Sequence, residues 1–203
     1  MLRKVYLTIA LLMCSLIIGT GSGNCAGEQV NSFEYEVKSA CILNFFKFIH
    51  IAPAETNDKS QTINIALVGD SPAIEVIQKT LQNKTADNKH IILNRYPDVG
   101  HLLKDNRVHH AVYFVAPWNE NITEALPSLR NVARLTISES PDFCQKGGMI
   151  NFRIDNGKVR FDINPAAAKQ ANIKISSQLL KLAHIIEQPS VTAETPKQDQ
   201  KKQ

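Results

Sequence analysis

Six histidines, four cysteines and one serine are the residues of this 203-residue chain whose types and positions could do chemistry. The histidines are His50, His90, His101, His109, His110 and His184. None stands four residues from another histidine or a glutamate, the helical spacing that aims two ligands at one metal. His109 and His110 open a predicted strand, where neighbouring side chains point to opposite faces, so the pair does not converge on one ion. Short-spaced cysteine pairs, the usual zinc signature, are absent. Ser71 follows an apolar run, where nucleophiles can sit in α/β folds. The chain has no G-x-S-x-G elbow, S-x-x-K or Walker loop, and Ser71-Pro72 reads better as a helix cap. No catalytic residue, metal or cofactor is expected. The chain reads as a binding protein, not an enzyme.

Cys41 and Cys144 leave two readings open. In an oxidising compartment a bridge between them would close a loop of roughly 100 residues, worth about 4–5 kcal/mol in chain entropy. Cys41 also sits on an apolar stripe, where it can serve as a small buried hydrophobe.

The elements that must position these residues follow from period and punctuation. Asn31 with Glu34 resembles a capping box, and Phe33, Val37, Cys41, Phe45 and Phe48 recur at helical spacing up to Ala52-Pro53. The second half is apolar nearly all round, which suits either a core helix or a partner-binding face. A strand over Ile63–Val68 leads through Gly69-Asp70-Ser71-Pro72 into a helix to Leu81. A dinucleotide fingerprint needs three spaced glycines, and only Gly69 is present. A strand near Ile91–Leu93, a short helix over Val99–Leu103, a strand over Ala111–Val115, a helix over Asn119–Leu129 and a strand over Arg134–Ile137 follow. This alternation predicts βαβ units on a largely parallel sheet.

Met149–Ile154 and Val159–Ile163 then flank Asn156-Gly157, the strongest two-residue hairpin signal. The register pairs Ile154 with Val159, Phe152 with Phe161 and Ile150 with Ile163, all on one face. Arg153 and Arg160 oppose each other on the other face, with Asp155 and Asp162 diagonally placed to neutralise them. Asn164-Pro165 opens a short helical turn, and a last helix is expected from Ser176 or Ser177 to Ile186. The predicted fold is therefore α/β and layered: a largely parallel central sheet, a C-terminal β-hairpin and flanking helices.

The ends have their own composition. Arg3 and Lys4 precede an apolar run from Val5 to Ile18 and a small-residue exit, the three parts of a secretory signal peptide. The run falls short of the roughly 20 residues that span a bilayer. Residues 1–26 are expected to be cleaved. Cys25 raises the question of lipidation, but Ser22-Gly23-Asn24 lacks the aliphatic residue of a lipobox. Residues 187–203 hold no Leu, Ile, Phe, Tyr or Trp and read as a disordered polar tail. The folded unit is then 31–186, with no membrane span of its own. Loss of Arg3 and Lys4 lowers the formal charge from +4 to about +2, with basic residues scattered, which argues against nucleic acid.

Several stretches together resemble the YfiR-like family of periplasmic proteins. They are Lys38–Phe48, Ala66–Asp70, Leu135–Ser138 leading to Phe143, Gly147–Phe152, Arg160–Asn164, Ala166–Ala168 and Ile175–Ala183. The resemblance runs from about Tyr35 to Ala183. It implies a periplasmic, typically dimeric regulator. Such a protein would bind the periplasmic sensor domain of an inner-membrane diguanylate cyclase, or a related sensor, and repress cyclic di-GMP signalling and biofilm formation. Some relatives carry late cysteine pairs suited to redox control; here Cys144 stands without a neighbouring thiol. Partner contacts are expected at exposed parts of the family-like motifs: Lys38, Phe46, Gly147, Gly148, Asn151 and Lys181. The competing reading is a periplasmic small-ligand binder or adaptor with no cyclase partner, its pocket near Gly69-Asp70 and Ala116-Pro117 at the carboxyl ends of the strands.

Overall fold

Helix formation starts at Asn31, whose side-chain oxygen accepts a hydrogen bond from the Glu34 N–H at 3.3 Å, satisfying one orphan donor of the first turn. Helix α1 then runs Ser32–Phe48. The computed structural model describes residues 31–51, 61–116 and 122–187. The predicted signal segment, Cys25, Ala52-Pro53, Pro117 and nearly all of the polar tail lie outside these residues.

The buried side of α1 is Tyr35, Lys38, Ser39, Ile42, Phe45 and Phe46. Of the predicted apolar positions Ile42, Phe45, Phe46 and Ile49 are buried, whereas Phe33 is 72% exposed. The inner face includes the polar Lys38 and Ser39, which apolar spacing does not register. The helix also stops earlier than expected. Ile49–Ile51 forms strand β1, antiparallel to β9 (Ile173–Ile175), with Ile49 opposite Ile175 and Ile51 opposite Ile173. Two β-branched residues flanking His50 suit such a strand.

The main sheet is built from β2 (Thr62–Val68), β3 (Thr85–Ala86), β4 (Lys89–Tyr96), β5 (His109–Phe114), β6 (Ala133–Ser138), β7 (Ile150–Asp155), β8 (Lys158–Ile163) and β10 (His184–Ile185). Their order is β10-β8-β7-β6-β5-β2-β4-β3. β4, β2, β5, β6 and β7 are mutually parallel, as expected from the βαβ alternation. β2 has β4 on one side and β5 on the other, so the winding reverses there. The connecting helices are α2 (Ala73–Leu81), α3 (Val99–Lys104) and α4 (Ile122–Leu129). α1 packs against α2, and α3 against α4.

Both faces of the sheet are covered, which is why the central strands read as continuous apolar runs. Ala66, Val68, Val112 and Phe114 meet Val99, Leu102, Ile122, Leu129 and Phe143 in one core cluster. On the α1 side, the Phe45 ring stacks on Phe152 at 5.8 Å and meets Phe161 edge-on at 5.1 Å, while Tyr113 lies 5.9 Å from Phe152.

The β7–β8 hairpin has the predicted register at every pair, from Ile150–Ile163 to Asp155–Lys158. Asn156 and Gly157 take positive φ (50° and 70°), as a type I′ turn demands. Arg153 bonds Asp162 at 2.9 Å and Asp155 at 3.2 Å, so the predicted neutralisation holds for Arg153, whereas Arg160 has no carboxylate partner among the described residues. A second tight hairpin, β3–β4, turns on Asp87 and Asn88, also at positive φ. The sequence reading missed it.

The C-terminus departs from expectation. Asn164 caps α5 (Pro165–Gln170) by accepting from the Ala167 N–H at 2.9 Å. α6 is a single turn, Ser177–Leu180, capped by Ser176. Beyond it His184–Ile185 joins the sheet as β10, parallel to β8, and the Ile186 N–H donates to the Ile163 carbonyl at 2.8 Å. The predicted final helix is thus replaced by an edge strand, which gains ladder hydrogen bonds that a lone helix would not.

Candidate functional site

The family-like stretches converge where α1 crosses the carboxyl end of β6. Lys38, 2% exposed, ion-pairs with Glu34 one helical turn back and with Glu139, the residue after β6. Its ammonium also lies 4.4 Å from the Tyr35 ring centroid, a cation–π contact. Glu139 accepts from Lys38 and from the Tyr35 hydroxyl through one carboxylate oxygen, and from the Tyr113 hydroxyl through the other. Burial pushes the Tyr113 hydroxyl well above its usual range, and the Glu139 charge adds to the effect. The phenol therefore keeps its proton and donates it. An ammonium between two carboxylates, one of them capped by tyrosines, anchors α1 to the sheet.

A second polar cluster lies below the sheet. Tyr96 donates to Asp105 at 2.5 Å and sits 3.1 Å from His109 Nε2. Arg107 holds Asp105 well below the usual carboxylate range. Burial first, then Asp105, pushes the Tyr96 hydroxyl up to about 12. Burial lowers the His109 imidazole below its usual value. Ser71, the candidate nucleophile position, is buried, and its hydroxyl oxygen accepts from the Ala73 N–H at 3.3 Å, so it caps α2. Among the described residues no three His, Cys, Asp or Glu side chains group as metal ligands.

The six residues expected to meet a partner from exposed positions divide sharply. Lys38, Phe46, Gly148 and Asn151 are buried, Gly147 is half-buried and Lys181 is exposed. Phe46 lies on the inner face of α1. Gly148 is required by packing: a Cβ there would sit 2.2 Å from the Phe143 ring. Gly147 has φ 103° and borders a cavity. Asn151 is held between Ser138 on β6 and Asp162 on β8 by strand register, and its side-chain oxygen has no hydrogen-bond partner among the described residues. Cys41 and Cys144 are both free thiols in this structure. Cys144 is buried against the Asp162 carbonyl, 3.7 Å away.

The structure brings forward residues that motif reading passed over. Glu139 directly follows the family-like Leu135–Ser138 stretch, and Tyr113 lies inside an apolar run where nothing singles it out. At the outer edge, Ile154 near the hairpin tip is 50% exposed and Leu182 after α6 is 71% exposed. Leu182 lies two residues before His184, which pairs with Asp162 of β8. Exposed apolar side chains and Lys181 therefore mark the β8–β10 edge. At the proposed ligand position after β2, Gly69 N–H and Val115 N–H bond Tyr96 and Val68 carbonyls at 3.0 Å, and Asp70 pairs with Arg95.

These features define a doubly wound α/β domain whose inner polar groups tie α1 and the loops to the sheet. The profile of the YfiR/HmsC-like family matches residues 35–184. The chain belongs to that family, which comprises periplasmic regulators. No curated protein matches the chain significantly. It is also similar to the crystal structure of a conserved domain protein from Vibrio cholerae O1 biovar El Tor, at 11% identity and a TM-score of 0.49. That alignment covers 74% of this chain and 59% of the Vibrio protein's length. Among the described residues no helix is long and apolar enough to cross a membrane.

Proposed function

We propose that this protein is a periplasmic inhibitor that docks on the periplasmic sensor domain of an inner-membrane diguanylate cyclase, or a related sensor, and represses cyclic di-GMP signalling and biofilm formation. The observation that carries this reading is the family match, which spans nearly every described element. Inhibition requires that the protein bind the inactive sensor conformation more tightly than the active one, because only differential affinity shifts the equilibrium. The docking edge in this reading is the β7–β8 hairpin with β10, where Ile154, Lys181 and Leu182 are exposed. The working unit is a homodimer, exported by cleavage of the N-terminal segment.

The test is a crosslinked pull-down of the tagged protein from intact envelopes, with captured partners identified by mass spectrometry. The expected result is recovery of a membrane-bound cyclase or sensor, lost in an Ile154→Asp/Leu182→Asp variant that unfolds at an unchanged temperature. Recovery of the protein alone, under conditions that preserve other envelope complexes, overturns it. Recovery that the variant leaves intact moves the interface elsewhere.

A further inference from the structure

Six arginines lie among the described residues. Arg95, Arg107 and Arg153 pair with Asp70, Asp105, and Asp155 together with Asp162. Arg130, Arg134 and Arg160 have no carboxylate partner among the described residues, and two of these three line one cavity. That cavity, about 230 Å³, is bounded by α4, the first half of β6, the Gly147–Met149 turn and the end of α5. No Asp or Glu lines it. Two guanidinium charges around one concavity repel each other and make its potential positive.

The sheet itself leaves the opening. β6 pairs with β7 only at Ile137–Ile150 and Ser138–Asn151. Upstream, from Ala133 to Thr136, that edge of β6 has no strand neighbour among the described residues. The Met149 N–H donates instead to the Thr136 hydroxyl at 3.1 Å, which ties the turn down beside the cavity. Arg134 and Thr136, two residues apart on a strand, share a face. The α5 end turns its partially negative terminus this way, but the Ala167, Ala168 and Lys169 carbonyls are taken by the Ala171 and Asn172 N–H groups. The remaining wall is apolar, chiefly Leu126, Ala133, Met149 and Ala167.

We infer that this cavity is a binding site for a small organic carboxylate, its anionic group held by Arg130 and Arg134 and its carbon body against Leu126 and Met149. Guanidinium forks match a carboxylate in planarity and spacing. At roughly 30 Å³ per liquid water, the volume of about 230 Å³ holds about eight waters, which suits a compact acid. The site is separate from the β8–β10 edge and does not depend on the identity of a protein partner.

Isothermal titration of the purified protein with succinate, benzoate and phenylacetate tests this, with inorganic phosphate as the competing anion. Saturable binding of at least one carboxylate at millimolar concentration or below is expected, with amide shifts at Gly147 and Asn172 by NMR. Arg134→Gln should weaken it at least about tenfold, while Arg160→Gln, an unpaired arginine away from the cavity, leaves it unchanged. Should Arg134→Gln fail to fold, Arg130→Gln at an exposed position carries the same comparison. Absence of binding by all three acids, or binding undiminished in the cavity variants, overturns the inference. Phosphate binding as tightly as any carboxylate also overturns it, as the mark of an adventitious ion only.

Discussion

Lys38 and Glu139 form a buried ion pair across 101 residues of sequence, joining the first helix to the end of a central parallel strand. The two side chains are 3% and 8% exposed. Removing one partner leaves the other charge buried, which costs about 3–5 kcal/mol in comparable sites. Glu139→Ala leaves Lys38 with Glu34 as its remaining carboxylate and takes the acceptor from the Tyr35 and Tyr113 hydroxyls, so it should lower stability by up to that amount, read from the urea midpoint. Lys38→Met with Glu139→Met should recover much of the loss, because apolar replacement of both partners removes the stranded charge. A double variant as unstable as the single one would assign the loss to something other than the unpaired charge.

His109 sets an acid-side limit on stability. Its ring is buried, with Nδ1 3.3 Å from the Val132 carbonyl and Nε2 3.1 Å from the Tyr96 hydroxyl. Burial holds the folded imidazole below its usual 6.5. As pH falls through 6.5, the unfolded chain takes up a proton that the folded chain refuses. The unfolded state then binds more protons, so stability decreases with falling pH down to the folded pKa. Asp105, held ionised by Arg107, does not titrate in that window. Melting temperature should fall below pH 6.5 in the native protein, and His109→Asn should flatten that part of the profile.

The two thiols should differ in reactivity. Burial, with the Asp162 charge adding to it, pushes Cys144 up to about 12, and burial raises Cys41 as well. Thiolate is the reactive form. Iodoacetamide at neutral pH should label half-buried Cys41 slowly and leave Cys144 untouched until denaturant is added, as peptide mass spectrometry would show. A species that resists alkylation in denaturant before reduction, but not after, would contradict the free-thiol state.

Gly148 should tolerate no side chain while Phe143 is present. A Cβ would meet the ring at 2.2 Å, and both residues are buried. Gly148→Ala should destabilise by about 1–3 kcal/mol through overpacking. Phe143→Leu in the same chain should return part of that in thermal unfolding, since a smaller side chain vacates the ring's position. Additive losses would show that the contact is not the cause.

Legibility in the sequence followed the range of the interaction. The hairpin register was readable residue by residue, because Asn156-Gly157 accepts positive φ and a one-residue slip would turn Phe152 and Phe161 outward. The turn at Asp87-Asn88 carried the same kind of signal more weakly, without glycine, and was overlooked. Asn31 and Ser71 were readable as caps because a cap bonds within three residues. Four of the candidate contact residues, Lys38, Phe46, Gly148 and Asn151, are buried rather than exposed for the opposite reason. Motif likeness marks residues held to a role without saying whether that role is packing or recognition, and at Gly148 and Phe46 it is packing.

Composition, period and turn chemistry alone determined an α/β chain with a parallel sheet and a closing hairpin; the family resemblance came from the likeness of particular stretches between Tyr35 and Ala183. The inner face of α1 was decided only by tertiary structure, because Lys38 is buried where Glu139 meets it, and no local pattern records a partner 101 residues away. The ends of the helices were decided the same way: Ile49–Ile51 and His184–Ile185 become strands because β9 and β8 offer them ladder hydrogen bonds. Arg130 and Arg134 line one cavity for a related reason, since the space beside β6 exists only once β7 joins that strand at its far end.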